Sequence, residues 1–255
     1  MALTDKLTAI GDAIRENTGT TDLIPLADMP EKVDEVYKAG RGSFWDSFQL
    51  KGSRTDYASA FQGYNSYWDE NNFYPKYDLV CVGDASKMFY AWENGKGTQN
   101  MDLKQRLEEC GVVLDTSRAT SLTSAFNYCK ITVIPTIDMS SLTGDAAKQI
   151  FANSWGATHT IEKVIVNENV TPNNWFLNAE GLENITFEGV LGKTMNISSC
   201  TKLTHESIMS ILNVLKDYSE DTSGTTYTLT LGTTNLAKLT DAEKAIATQK
   251  GWTLA

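Results

Sequence analysis

Asp69 and Glu70 are adjacent carboxylates whose residue types could support acid–base chemistry. Hydrolysis of a glycosidic bond needs two carboxyl groups that face each other across the substrate. Neighbouring side chains on an extended segment point to opposite faces, however, and the run Trp-Asp-Glu-Asn-Asn around this pair is typical of a solvated loop. We therefore expect a protein that is not an enzyme, and a glycan-cleaving protein stays the less favoured alternative.

Other arrangements that support catalysis or metal binding are missing from the sequence. It has no glycine-rich phosphate loop, Gly-x-Ser-x-Gly motif or His-Glu-x-x-His motif. His159 and His205 are isolated from other ligand types, so each is predicted to be a surface or helix-cap residue. The cysteines include no Cys-x-x-Cys pair, and we predict that they are small buried apolar side chains. They are Cys81, Cys110, Cys129 and Cys200. The sequence thus predicts neither a metal site nor a cofactor.

Aromatic residues crowd the stretch between residues 44 and 92, where amides and carboxylates lie among them. The C–H face of a sugar packs on tryptophan or tyrosine, while amides and carboxylates bond its hydroxyl groups. Packing between irregular turns of the chain would explain any one of these aromatic residues equally well. The candidate receptor or glycan ligands are Trp45, Tyr64, Tyr67, Trp68, Asp69, Asn71 and Tyr74.

The charge of the chain argues against nucleic acid as a partner. The formal net charge is −10 and the sequence pI is about 4.7, whereas phosphate binding needs a surplus of lysine and arginine. No segment is apolar enough to predict a membrane span. The first residues lack the basic and apolar regions of a secretory signal, so we expect synthesis in the cytoplasm without one.

Residues 1–41 are predicted to form a helical attachment or oligomerisation segment. A first amphipathic helix places apolar residues at helical spacing, and a second begins near Asp28 and ends at Gly40. The apolar candidates for assembly are Leu3, Leu7, Ile10 and Ile14. Two short helices bury little surface alone. They could pack on the following domain, associate with copies of themselves or dock on a larger assembly.

A degenerate repeat runs from about residue 58. Each copy has an apolar pair, a small or aromatic residue three positions later, and then a β-type run. The phenylalanines of successive copies are Phe61, Phe89, Phe126, Phe151 and Phe176. The last two steps are each 25 residues, a period typical of leucine-rich coils, in which the phenylalanines point inward and stack. We predict an α/β fold, a short irregular leucine-rich-repeat solenoid with parallel strands, over residues 42–202.

Residues 203–255 break this period and are predicted to form an α+β cap. Apolar spacing from Ile208 to Leu215 predicts a helix, and residues 225–231 predict a strand. Thr240 and Glu243 form a capping-box pattern for a helix that ends before Gly251. A solenoid needs such a segment because its terminal coil otherwise exposes an apolar face.

The repeat copies, above all residues 122–129 with the following Val133, Ile134 and Pro135, resemble the BspA-like leucine-rich repeat family. Residues 228–254 are similar to the closing segment of such proteins in prophages. With the repeats, this resemblance covers about residues 58–255. The stretch from Ala13 to Leu26 is similar to the leader of tail and tail-fibre proteins of phages that infect Gram-positive bacteria.

These resemblances imply a non-catalytic recognition protein of a phage tail or tail-like particle. Its partners would be a glycan or protein on the host cell surface and other tail or baseplate proteins, and fibres of this type favour a homotrimer. Two insertions, residues 62–78 and 93–111, would be loops on which a binding surface could be built. The alternative is a bacterial cell-surface adhesin with the same repeats.

Overall fold

The chain folds into a mixed α/β structure with parallel strands, as a computed structural model shows for residues 57–61, 73–75, 78–91 and 101–255. Every strand pairing among these residues is parallel. The predicted α/β class and the parallel strands are therefore confirmed in this part of the chain.

The described residues contain ten short strands and four helices. The strands are β1 Leu79–Val80, β2 Met101–Asp102, β3 Leu114–Asp115, β4 Ile131–Ile134, β5 Ile137–Asp138, β6 Thr160–Val166, β7 Asn184–Gly189, β8 Met195–Asn196, β9 Tyr227–Thr230 and β10 Trp252–Leu254. The helices are α1 Leu103–Cys110, α2 His205–Val214, α3 Gly232–Leu236 and α4 Asp241–Gln249. No helix among the described residues is long and apolar enough to cross a bilayer.

The largest sheet is centred on β6. Along one edge β6 pairs with β4 and then with β5, and along the other edge it pairs with β7. Val133 lies opposite Thr160, and Ile137 lies opposite Val164, so β4 and β5 follow one line with a single register. Pro135 lies between β4 and β5 and interrupts the strand, because proline has no N–H group to donate to a neighbouring strand.

The predicted phenylalanines form a continuous stack through the interior. Neighbouring ring centroids lie 5.2, 5.3, 6.0 and 5.6 Å apart from Phe61 to Phe176, with interplanar angles of 15–27°. Each of these side chains is at most 2% exposed. The prediction that the phenylalanines point inward and stack on one another is confirmed. Each ring thus removes apolar surface of the next copy from water.

Backbone hydrogen bonds join the turn segments that carry these rings. The N–H groups of Ser124 and Phe126 donate to the carbonyls of Lys148 and Ile150 in the next copy, both at 2.8 Å. The amide of Ala125, which lies between them, donates within its own turn instead. Alternate amides therefore bond to the next copy and to their own, and the buried backbone polar groups are paired.

This alternation requires left-handed backbone at fixed places. In four described copies, the residues two before and two after the phenylalanine have positive φ angles of 50–59°. The pairs are Lys87 and Ala91, Ser124 and Tyr128, Gln149 and Asn153, and Asn174 and Asn178.

Five polar residues that end or follow repeat strands fix the chain reversals there. In each case the side-chain oxygen accepts a hydrogen bond from the N–H group two residues later, at 2.7–3.0 Å. These residues are Asp84, Asp115, Asp138, Asn167 and Asn196. Hydrogen bonds from Ser117 hold the pKa of Asp115 below its usual value. The sequence analysis did not identify this series.

The predicted elements of the closing segment are confirmed. Helix α2 lies where Ile208 to Leu215 predict it, and β9 lies within residues 225–231. Helix α4 begins with the predicted capping box of Thr240 and Glu243 and ends before Gly251, whose φ is +79°. The short helix α3 was not predicted. Strands β8, β9 and β10 form one sheet, so the closing segment continues the core of the repeats.

One insertion differs from its prediction. Residues 93–111 were expected to be a loop, but residues 103–110 form α1, which Asp102 caps at the N-terminus and Gly111 ends in a left-handed conformation. Leu103 and Leu107 are buried, because spacing by four residues places both on the inner face. Strand β3, Leu114–Asp115, follows this helix. The helical segment predicted at 1–41, with its assembly candidates, lies outside the described residues.

Candidate binding surface

Three aromatic side chains, Tyr90, Tyr128 and Trp155, form a row across three successive copies of the repeat, and we name this row the aromatic edge. The Tyr90 and Tyr128 ring centroids are 5.8 Å apart, and those of Tyr128 and Trp155 are 5.4 Å apart. Trp155 is 50% exposed, Tyr128 is 38% exposed, and Tyr90 is partly buried. The stacked interior phenylalanines set the spacing of the copies and hence of this row.

Two residues of the aromatic edge have an unfavourable backbone conformation. The φ angle is +59° at Tyr128 and +43° at Trp155. The left-handed region costs a bulky residue roughly 1–2 kcal/mol, whereas asparagine tolerates it better. At the position that Tyr128 occupies, two residues after the phenylalanine, the next two copies carry Asn153 and Asn178. The preceding copy carries Ala91 there, with a φ of +50°.

The loop of Trp155 is held on both sides. Its N–H group donates to the carbonyl of Asn178 at 2.8 Å, and its carbonyl accepts from the N–H group of Gly181 at 2.6 Å. A Cβ atom on Gly181 would lie 2.7 Å from the backbone of Gly156, so only glycine permits this close approach. These contacts fix the backbone on which the exposed indole stands.

A row of asparagine side chains accompanies the aromatic edge on the same turns. The amide nitrogen of Asn153 donates to the side-chain oxygen of Asn127 at 3.0 Å, and Asn178 donates in the same way to Asn153 at 2.8 Å. Asn127 and Asn153 are buried. We call these three residues the asparagine ladder. It crosses from copy to copy and holds the turns that carry Tyr128 and Trp155 in register.

One cation contacts the aromatic edge at its Tyr90 end. The ammonium group of Lys87 lies 5.6 Å from the centroid of the Tyr90 ring. Such a contact at an exposed site contributes about 0.5–1 kcal/mol. The aromatic edge is thus apolar along the row and positively charged at this end.

Of the binding residues predicted from the sequence, the structure describes Tyr74. It is 54% exposed, and the guanidinium carbon of Arg106 lies 4.1 Å from its ring centroid. Arg106 also donates to the carbonyl of Phe73 at 2.8 Å, which anchors this contact to α1. The other candidates lie outside the described residues. They are Trp45, Tyr64, Tyr67, Trp68, Asp69 and Asn71, together with the carboxylate Glu70.

The described thiols and histidines have structural surroundings. Burial raises the pKa of Cys81 and Cys200 to about 12 and that of Cys129 to about 11, so these thiols stay protonated at neutral pH. Their predicted burial is confirmed, whereas Cys110 is partly exposed on α1. His159 and His205 are half-exposed beside glutamates, as expected for surface residues. The described residues contain no group of three or more side chains that could hold a metal ion.

A recess of about 500 Å³ lies on the closing segment and is lined by residues 216–221. The Tyr218 ring in this segment stacks on that of Tyr227 with centroids 3.6 Å apart, and its hydroxyl donates to the carbonyl of Gly192 at 2.7 Å. The pKa of Tyr218 is raised to about 12, and burial is the main cause. These contacts attach the loop to the cap.

The aromatic edge was not predicted from the sequence, because its members occupy different places in the repeat. Tyr90, Tyr128 and Trp155 follow their phenylalanines by one, two and four residues, so an alignment of the copies does not place them in one column. The sequence does contain one signal for this row: each of three successive phenylalanines is followed, within four positions, by another aromatic residue. Only the turn geometry shows that these side chains meet.

Comparisons of the chain with protein-family models, curated proteins and solved structures found no match.

Proposed function

We propose that the chain is a non-catalytic recognition protein of a phage tail or tail-like particle, which binds a glycan or protein on the surface of a host bacterium. The observation that carries this proposal is the aromatic edge, since exposed aromatic side chains on a rigid scaffold are typical of recognition surfaces.

The scaffold we propose is a short leucine-rich-type solenoid. The stacked phenylalanines, the hydrogen bonds between successive turns and the parallel strands support it, because each contact joins neighbouring copies. An array of this kind would present side chains from successive turns along one line, which would account for the aromatic edge.

The recognition surface is supported by the exposure and the mutual contacts of its rings. Tyr128 and Trp155 are 38% and 50% exposed, and each contacts a neighbouring ring of the row. Large exposed aromatic side chains are typical of binding surfaces. The predicted aromatic loop at residues 62–78 would add to this surface.

The phage-tail setting depends on the resemblance of residues 13–26 to tail-protein leaders. Labelling with an antibody against the chain tests it. Gold label on the tails of particles induced from the source bacterium is expected, and label confined to the cell envelope would favour the adhesin instead.

Binding of the fluorescently labelled full chain to a panel of Gram-positive strains tests the recognition function. We expect saturable binding to a subset of strains, which an excess of unlabelled chain displaces. Prolonged incubation should release no new reducing sugar ends. Absence of saturable binding to every strain would contradict the proposal, and release of reducing ends would show that the non-catalytic assignment is wrong.

A further inference from the structure

We propose that the aromatic edge of Tyr90, Tyr128 and Trp155 binds a short segment of a linear glycan, one sugar unit against each ring. This inference rests on the proposed recognition function and names the ligand class of its surface. The ligand is a carbohydrate of the bacterial envelope, and the aromatic edge contacts it without covalent chemistry.

The size of the exposed surface favours a glycan over a protein. With typical aromatic side-chain areas of about 150–250 Å² and exposed fractions of 50% and 38%, Trp155 and Tyr128 offer roughly 130–220 Å², to which the partly buried Tyr90 adds less. A stable protein interface needs about 800 Å² from each partner. The aromatic edge provides only a fraction of that area, but it suits an oligosaccharide of about three units.

The shape of the row favours a ligand made of linked sugar units over one flat aromatic ligand. Neighbouring rings are tilted by 68° and 62°, so the aromatic edge has no continuous flat face. A planar aromatic ligand would contact only one ring well. The centroid spacings of 5.8 and 5.4 Å are comparable to the length of one pyranose unit, so consecutive sugars can each meet a ring of their own.

The fixed backbone of the two exposed rings supports binding. The N–H and carbonyl groups of Trp155 are both hydrogen-bonded to the neighbouring turn, and ring contacts hold Tyr128 between Tyr90 and Trp155. Each ring can therefore pack against the C–H face of a sugar without first being ordered.

The double variant Tyr128→Asn with Trp155→Asn separates binding from folding. We expect it to remain folded with a cooperative thermal transition, because asparagine suits both φ angles and so offsets part of the lost ring packing. We expect its affinity for cells of a binding strain, and for the polysaccharide released from their walls, to fall about tenfold or more. Trp155→Phe, which keeps an aromatic ring, should retain most of the binding.

Val113→Asn is the matched control. Val113 is 58% exposed and lies beside β3, away from the turns of the aromatic edge, so its replacement also removes exposed apolar surface. We expect an unchanged affinity for this variant. Treatment of the cells gives the second readout: binding should survive protease and should be lost after periodate oxidation of the glycans.

The outcomes distinguish this inference from the function on which it rests. If the unchanged chain binds cells but the double variant binds equally well, or if protease abolishes binding, the glycan site is overturned while the recognition function stands. If the unchanged chain binds neither cells nor released polysaccharide, both are overturned. If the double variant does not fold, the single variant Trp155→Asn is measured instead, and an affinity equal to that of the unchanged chain overturns the glycan site.

Discussion

Neighbouring residues on the same turns have different roles. The asparagine ladder joins successive turns, and the aromatic edge presents exposed rings. Asn127, Asn153 and Asn178 join successive turns through their side-chain amides. The aromatic residues beside them contribute exposed surface. A substitution in the ladder should therefore change stability, whereas a substitution in the aromatic edge should change binding.

Asn153→Ala should lower the free energy of unfolding by about 2–4 kcal/mol, since it removes both ladder bonds and so takes the donor from the Oδ1 of Asn127 and the acceptor from the Nδ2 of Asn178. Alanine also tolerates the φ of +55° less well than asparagine. Urea denaturation followed by circular dichroism measures the change. The control is Asn184→Ala on the exposed face of β7, for which we expect a change within about 0.5 kcal/mol. Equal losses for the two variants would show that the ladder contributes nothing.

At the level of secondary-structure elements, close backbone approaches decide how the strands and turns fit. Gly189 ends β7 with a φ of +90°, and a Cβ atom at this position would lie 2.0 Å from the carbonyl oxygen of Val166 at the end of β6. The obstacle is backbone in a paired strand, which cannot move aside as a flexible side chain could. The pairing of β6 with β7 therefore requires glycine here.

Gly189→Ala should cost more than about 3 kcal/mol of stability, because the strand pair must separate locally to admit the methyl group. Gly144→Ala is the matched control, since Gly144 also has a positive φ, +55°, but a Cβ atom there would meet nothing within 4 Å. That variant should lose only about 1 kcal/mol, the backbone strain alone. Denaturant midpoints of the two variants provide the comparison, and a loss at Gly189 no larger than that at Gly144 would contradict the steric explanation.

At the level of the whole molecule, the buried apolar residues form one continuous cluster from Tyr57 to Trp252. The repeats and the closing segment share it, and β8 from the repeat region pairs with β9 of the cap. A single core of this kind favours one cooperative unfolding transition over separate melting of array and cap.

Phe126→Ala should lower the free energy of unfolding by about 3–5 kcal/mol, since it opens a cavity between Phe89 and Phe151 in the stack. Because the core is continuous, we expect the loss to reach the cap. Hydrogen exchange measured by mass spectrometry should show a similar fall in protection in β4 and in β10. Undiminished protection of β10 would mean that the cap unfolds independently.

The sequence by itself determined the buried periodic part of this protein. The phenylalanine positions, helix α2 and the capping box of α4 followed from apolar spacing and end signals, because burial leaves a regular pattern along the chain. The aromatic edge and the asparagine ladder were decided by the tertiary structure. Exposed residues at offsets of one, two and four from their phenylalanines meet only because left-handed turns and the stacked interior bring successive copies to a fixed spacing and orientation.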